Sequence, residues 1–152
     1  MIAVDTARFT VAVFQDVAWA QKGVQALQQA GFPPESLTII AKDAPDVATL
    51  IQQSLGASGA RLELAAVGTA LVHGPMVEAL QGPDSDLTRF GLAASMRKVG
   101  FQSHDGRIFE VLTGRGGVLV AIRTEPRAAD ALAILHSYGG GNAAIGAWTG
   151  RL

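Results

Sequence analysis

Runs of consecutive apolar residues alternate with stretches of helical spacing along this chain, and one succession of the two occurs twice. Thr10-Val11-Ala12-Val13-Phe14 is β-branched and aromatic enough for a buried strand. After Asp16, a fitting helix N-cap, Val17, Ala20, Val24 and Leu27 fall at helical spacing, with Lys22, Gln25, Gln28 and Gln29 on the opposite face. Gly31 supplies a positive-φ stop, Pro33-Pro34 a rigid turn, and Leu37-Thr38-Ile39-Ile40-Ala41 a second strand. Near the other end the order returns. Val118-Leu119-Val120-Ala121-Ile122 is followed by a helix opened by Pro126, with Ala129, Leu132, Ala133 and Leu135 on its buried side, then by Gly139-Gly140-Gly141 and the apolar run 143–147. Two strand-helix-strand halves, 9–42 and 117–149, are therefore expected to join in one sheet.

The block between them, 43–116, reads as mostly helical. Asp43 or Asp46 caps a helix through Leu50, Ile51 and Leu55 to Gly56. Residues 62–72 alternate weakly and fit either a strand or a buried helix, because periodicity does not separate the two in short apolar runs. Beyond the break at Gly74-Pro75 come a short helix over 76–80, then a helix opened by Asp84 or Ser85 with Leu87, Phe90 and Ala94 on one stripe. Another helix starts at Ser103 or Asp105, turns Ile108, Val111 and Leu112 inward, and exits through Gly114–Gly117. The expected fold is a single α+β domain over 1–152: a ferredoxin-like split βαβ sandwich of four antiparallel strands, carrying a helical insertion between strands 2 and 3. An insertion of that length points to a ligand site or an oligomer contact.

Composition narrows the function classes. Of 152 residues, 49% are hydrophobic and 16% charged, against roughly a quarter charged in ordinary domains, so some apolar surface is expected to meet another subunit and form a homo-oligomer. Twelve basic and thirteen acidic residues give a net charge of −1, too little positive field to gather a phosphate backbone, which excludes nucleic acid as a partner. Cysteine is absent, removing disulfides, thiolate metal sites and a cysteine nucleophile, and a cytoplasmic location fits. The N-terminus has no basic segment followed by an apolar run, as a secretory signal would. The most apolar window, 64–77, is shorter than the roughly 18 to 20 residues that span a bilayer, so membrane contact is disfavoured.

Several segments together carry a resemblance. They are Val11-Ala12-Val13-Phe14 with Ala18 and Ala20, the break Ala30-Gly31-Phe32-Pro33, the strand 37–43, Val67-Gly68-Thr69-Ala70-Leu71-Val72-His73-Gly74-Pro75, and Arg115-Gly116-Gly117-Val118-Leu119-Val120-Ala121. With these the chain resembles the bacterial heat-induced general stress protein domain family of small α/β proteins. The resemblance implies a stress-linked protein and supplies no active site. Family members tend to have a middle block richer in glycine and alanine; here it is shorter and more polar, and His73 stands where a small residue is usual.

No catalytic set emerges from the residues. His73, His104 and His136 lack the short paired spacings of metal ligands, and no serine lies in Gly-x-Ser-x-Gly. The candidate ligand-binding residues are His73 and Gly74 at the break, with Arg115, Gly116 and Gly117, whose backbone N–H groups and guanidinium could meet an anion. The simpler reading of Gly114–Gly117 is a helix C-cap, since phosphate loops run from strand to helix and this one runs from helix to strand. No cofactor and no metal are expected. The leading functional expectation is a non-enzymatic, stress-associated module that self-associates. The alternative is a small ligand-binding protein or enzyme with a pocket between the sheet and the inserted helices.

Overall fold

A computed structural model describes residues 9–123 and 128–137. In chain order they form β1 (Phe9–Phe14), α1 (Val17–Gln29), β2 (Leu37–Lys42), α2 (Pro45–Leu55), β3 (Ala60–Leu64), β4 (Gly68–His73), α3 (Pro75–Gln81), α4 (Asp86–Phe90), α5 (Leu92–Ser95), α6 (Ser103–Gly114), β5 (Val118–Arg123) and α7 (Ala128–Ser137). Short 3-10 turns occupy Pro34–Ser36 and Met96–Val99. The strands make one open sheet in the order β1-β5-β2-β4-β3, every neighbouring pair antiparallel. The protein is thus α+β with an antiparallel sheet.

The first strands of the two halves lie side by side, Val11 opposite Ala121 and Val13 opposite Leu119. β5 also pairs with β2, so β1 and β2 run parallel with β5 inserted between them. The sheet has five described strands rather than four, because residues 60–73 form the hairpin β3–β4 and extend it past β2. That resolves the ambiguity of 62–72 in favour of strand, and the insertion is not purely helical. The expected strand 143–147, Trp148 and the glycines 139–141 lie outside the described residues.

Alternation along the strands sends side chains to both faces, and both are covered. Val11, Val13, Ile40, Leu119 and Ala121 pack with Met76, Leu80, Leu87, Leu92, Phe109 and Leu112 from α3–α6. Ala12, Phe14, Leu37, Ile39, Val118, Val120 and Ile122 pack on the other side with Val24 and Leu27 of α1, Leu50 and Ile51 of α2, and Leu135 of α7. Each of these side chains larger than alanine, fully buried, contributes roughly 1.5–3 kcal/mol, which makes the central strands the stable heart of the fold. The face that a split βαβ sheet leaves bare of helices is covered here by the insertion, which divides, sending α2 to one face and α3–α6 to the other.

Local expectations fare unevenly. Asp16 caps α1, its carboxylate accepting from the Trp19 N–H at 2.9 Å. Neither Asp43 nor Asp46 caps α2, which begins at Pro45 behind Ala44 without a side-chain cap. The expected stripe Leu87, Phe90 and Ala94 is broken at Gly91, where Glu110 Oε2 accepts from the Ala93 N–H at 3.1 Å and starts a fresh helix; Leu87 is buried while Phe90 is 58% exposed. On α6 it is Phe109 and Leu112 that are buried, and Val111 faces out. On α7 Ala131 and Leu135 are buried while Ala133 is exposed. Trp19 is 40% exposed, with the Lys22 ammonium 4.6 Å from its ring centre.

Candidate functional site

The turn after β4 is shaped by a contact that skips across the sequence. Gly74 has φ 129° and ψ 172°, a region essentially reserved for glycine. A Cβ there would come within 2.4 Å of the Leu37 carbonyl oxygen and the Thr38 Oγ1, so the turn can press against β2 only because it lacks one. Pro75 then occupies the first helical position of α3, where a missing N–H costs nothing. The Met76 N–H, left without an intrahelical acceptor, donates to the buried Thr38 Oγ1 at 2.9 Å. The cap of α3 is therefore supplied by β2.

This close packing leaves a groove of about 590 Å³ at one end of the sheet. Its apolar side is formed by Leu37, Leu55, Val72 and Val77, the last at the start of α3. Half-buried His73 lies among them, and the charged groups Glu35, Glu78 and Arg123 also line it. Arg123 is the last residue of β5, its guanidinium carbon 5.8 Å from the ring centre of Phe9, its partner on β1. An apolar floor beside one guanidinium, two carboxylates and an imidazole suits an amphipathic small molecule, held by burial and oriented by charge.

His73 and Gly74 belong to this groove. Arg115, Gly116 and Gly117 do not. His73 is level with Ile39 of β2, and the far end of β2, Ala41, is level with Val118 at the start of β5. The two sets of candidates thus sit at opposite ends of the central strands. The helix exit also holds no free anion cradle: the Arg115 N–H donates to the Val111 and Leu112 carbonyls, Gly116 N–H to Thr113 and Gly117 N–H to Leu112. That is the Schellman pattern of a closed helix C-terminus, with Gly116 at φ 99°.

No family model, no curated protein and no solved structure matches this chain. The geometry of its own residues therefore carries the functional argument.

His104 is exposed in the first turn of α6 and is not among the groove's lining residues. Among the described residues no cluster of three or more His, Asp or Glu side chains could hold a metal. No helix among them is long and apolar enough to cross a membrane. A second, smaller hollow of about 470 Å³ lies beside α2 and the hairpin, its lining including Thr49, Gln52, Arg61 and Leu71. At its rim Arg61 Nε donates to Asp43 Oδ2 at 2.7 Å, and that hydrogen bond, with the attraction of the two charges, raises the arginine's pKa above its ordinary value. Sequence reasoning missed Glu35 and Glu78 as well as Thr38 and Arg123, of which the last two show why. A threonine inside the otherwise apolar run 37–41 was the available signal for Thr38; nothing local marked Arg123, which is recruited only because β5 lies between β1 and β2.

Proposed function

We propose that the chain is a non-enzymatic binding protein whose ligand is a small amphipathic molecule seated in the His73 groove. The observation that supports this reading is the joining of an apolar wall, Leu37, Leu55, Val72 and Val77, to a charged rim of Glu35, Glu78 and Arg123 around a half-buried imidazole. The apolar body of the ligand lies on the wall. An anionic group meets Arg123, and a hydrogen-bonding or cationic group meets His73 or the two carboxylates. The reading is of a cytoplasmic, stress-linked protein of the heat-induced general stress protein kind. In its support, the resembling segment 67–75 is the one that forms β4 and the groove's turn. We read the fold as a ferredoxin-like core, β1-α1-β2 and β5-α7, enlarged by the hairpin β3–β4.

The test is a thermal-shift screen of amphipathic carboxylates, amines, nucleotides and acyl compounds. A ligand at a hundred times its Kd adds about 2.7 kcal/mol to stability. A hit whose shift is lost in Val77→Arg, which fills the groove with a charged side chain, and retained in Arg115→Ala supports the reading. A hit indifferent to Val77→Arg, or no hit across the panel, counts against it.

A further inference from the structure

We propose that the protein forms a two-fold homodimer by pairing the outer edge of β3 with the same edge of a second copy, which joins two sheets into one. The proposal goes beyond the ligand groove and does not depend on it. β3 ends the sheet: β4 occupies one side of it, and among the described residues no strand pairs with the other. It is exposed at Ala60, Arg61 and Glu63, half-buried at Leu62 and buried only at Leu64.

The direction of its free backbone groups follows from the ladder. The Asp43 N–H donates to the Thr69 carbonyl at 2.9 Å, so the backbone polar groups of Thr69 point toward β2. Thr69 stands opposite Glu63, and in an antiparallel pair a residue whose groups point away from its partner faces another whose groups do the same. Glu63 and Arg61, two positions apart, therefore present their N–H and C=O groups at the open edge, while Leu62 spends its own on β4.

Antiparallel pairing about a two-fold axis through Leu62 sets Arg61 opposite Glu63 of the second copy, and Glu63 opposite its Arg61. Those are the residues with outward N–H and C=O groups, so both pairs exchange backbone hydrogen bonds while their side chains carry opposite charges. Leu62 meets Leu62 in the closer, non-hydrogen-bonded position, and Ala60 meets Leu64. Within its own chain Arg61 donates to Asp43 and Glu63 accepts from Thr69 Oγ1, so the charge pairs across the seam extend contacts already made on that face. Charges on an edge strand usually discourage pairing with foreign strands. Here the order Arg-Leu-Glu reads as its own complement when reversed. Leu62 packs against the cluster under α3–α6, and exposed Phe90 ends α4, which also packs on β3, so apolar surface flanks the new seam on that face.

The register can be tested covalently because the chain has no cysteine. In Leu62→Cys the two introduced thiols would lie on Cα atoms about 4.5 Å apart, within disulfide reach, so mild oxidation at micromolar protein should yield a covalent dimer. Gln25→Cys, exposed on α1, which packs on β1 and β5 and not on β3, should form little covalent dimer under the same oxidation. By light scattering during size-exclusion chromatography the unmodified protein should have twice the mass of the 15.7 kDa chain. Arg61→Glu or Glu63→Arg alone should weaken association about tenfold or more, and the double exchange should restore it. Glu63→Pro removes one outward N–H without touching the ladder to β4 and should give a folded monomer by circular dichroism. A monomeric parent protein, equal crosslinking of the two cysteine variants, or a folded Glu63→Pro protein that remains dimeric would overturn the proposal.

Discussion

Two glycine turns sit at opposite ends of the central strands, Gly74 after β4 and Gly116 before β5, and the same residue type serves different physics in each. At Gly74 both backbone conformation and space are demanding: the φ of 129° excludes other residues, and a Cβ would strike β2 at 2.4 Å. At Gly116 only conformation matters, since φ is 99° and nothing lies within 4 Å of where a Cβ would stand. The first turn is pressed into the sheet and thereby opens a groove beside it. The second closes a helix on itself, consuming the N–H groups an anion would need. Glycine content alone does not distinguish a site from a cap; what surrounds the missing side chain does.

Substitutions break this contrast in order of effect. Gly74→Ala should destabilise by about 3 kcal/mol or more, because strain in a glycine-only region adds to overpacking against Leu37 and Thr38, and chemical denaturation should show it as a large fall in midpoint. Thr38→Val should cost about 2 kcal/mol by leaving the Met76 N–H buried without an acceptor, and Thr38→Ser should recover much of it. If Val and Ser behave alike, the cross-sequence cap is not what holds α3. Gly116→Ala should cost only about 1 kcal/mol, the left-handed penalty without a clash. Smallest of all, Arg115→Ala should change stability by less than about 0.5 kcal/mol, as an exposed side chain outside the core. A ranking in which Gly116→Ala exceeded Gly74→Ala would reverse the reading of both turns.

The legible parts of the fold were those written in local chemistry. β1, β2 and β5 are unbroken apolar runs of strand length, and α1 carries its cap at Asp16 and its stop at Gly31 within the same stretch of chain. The middle block was harder to read for a physical reason. Arg61, Glu63 and Thr69 make β3–β4 look polar, since the hairpin has one side at the sheet's margin, and its pairing partners are not sequence neighbours of β2. Phe90 and Val111 look like core residues by spacing, but α4 ends at Gly91, where φ is 91°, so the stripe from Leu87 does not continue to Ala94, and both Phe90 and Val111 are exposed. Among candidate site residues, His73 and Gly74 were recognisable as an oddity, an imidazole and a breaker inside an apolar stretch. Their neighbours Glu35, Glu78 and Arg123 were not, because each comes from a different element.

By itself the sequence determined that the chain would make a layered α+β domain, where its buried strands run, and how its first helix begins and ends, since periodicity and capping act over a few residues. Only tertiary structure decided that the insertion would split between the two faces of the sheet, that Thr38 would cap α3, and that Arg123 rather than Arg115 would stand near His73. Those outcomes depend on strand order, and strand order is set by which apolar faces bury each other across long loops, a competition among distant segments that no local window contains.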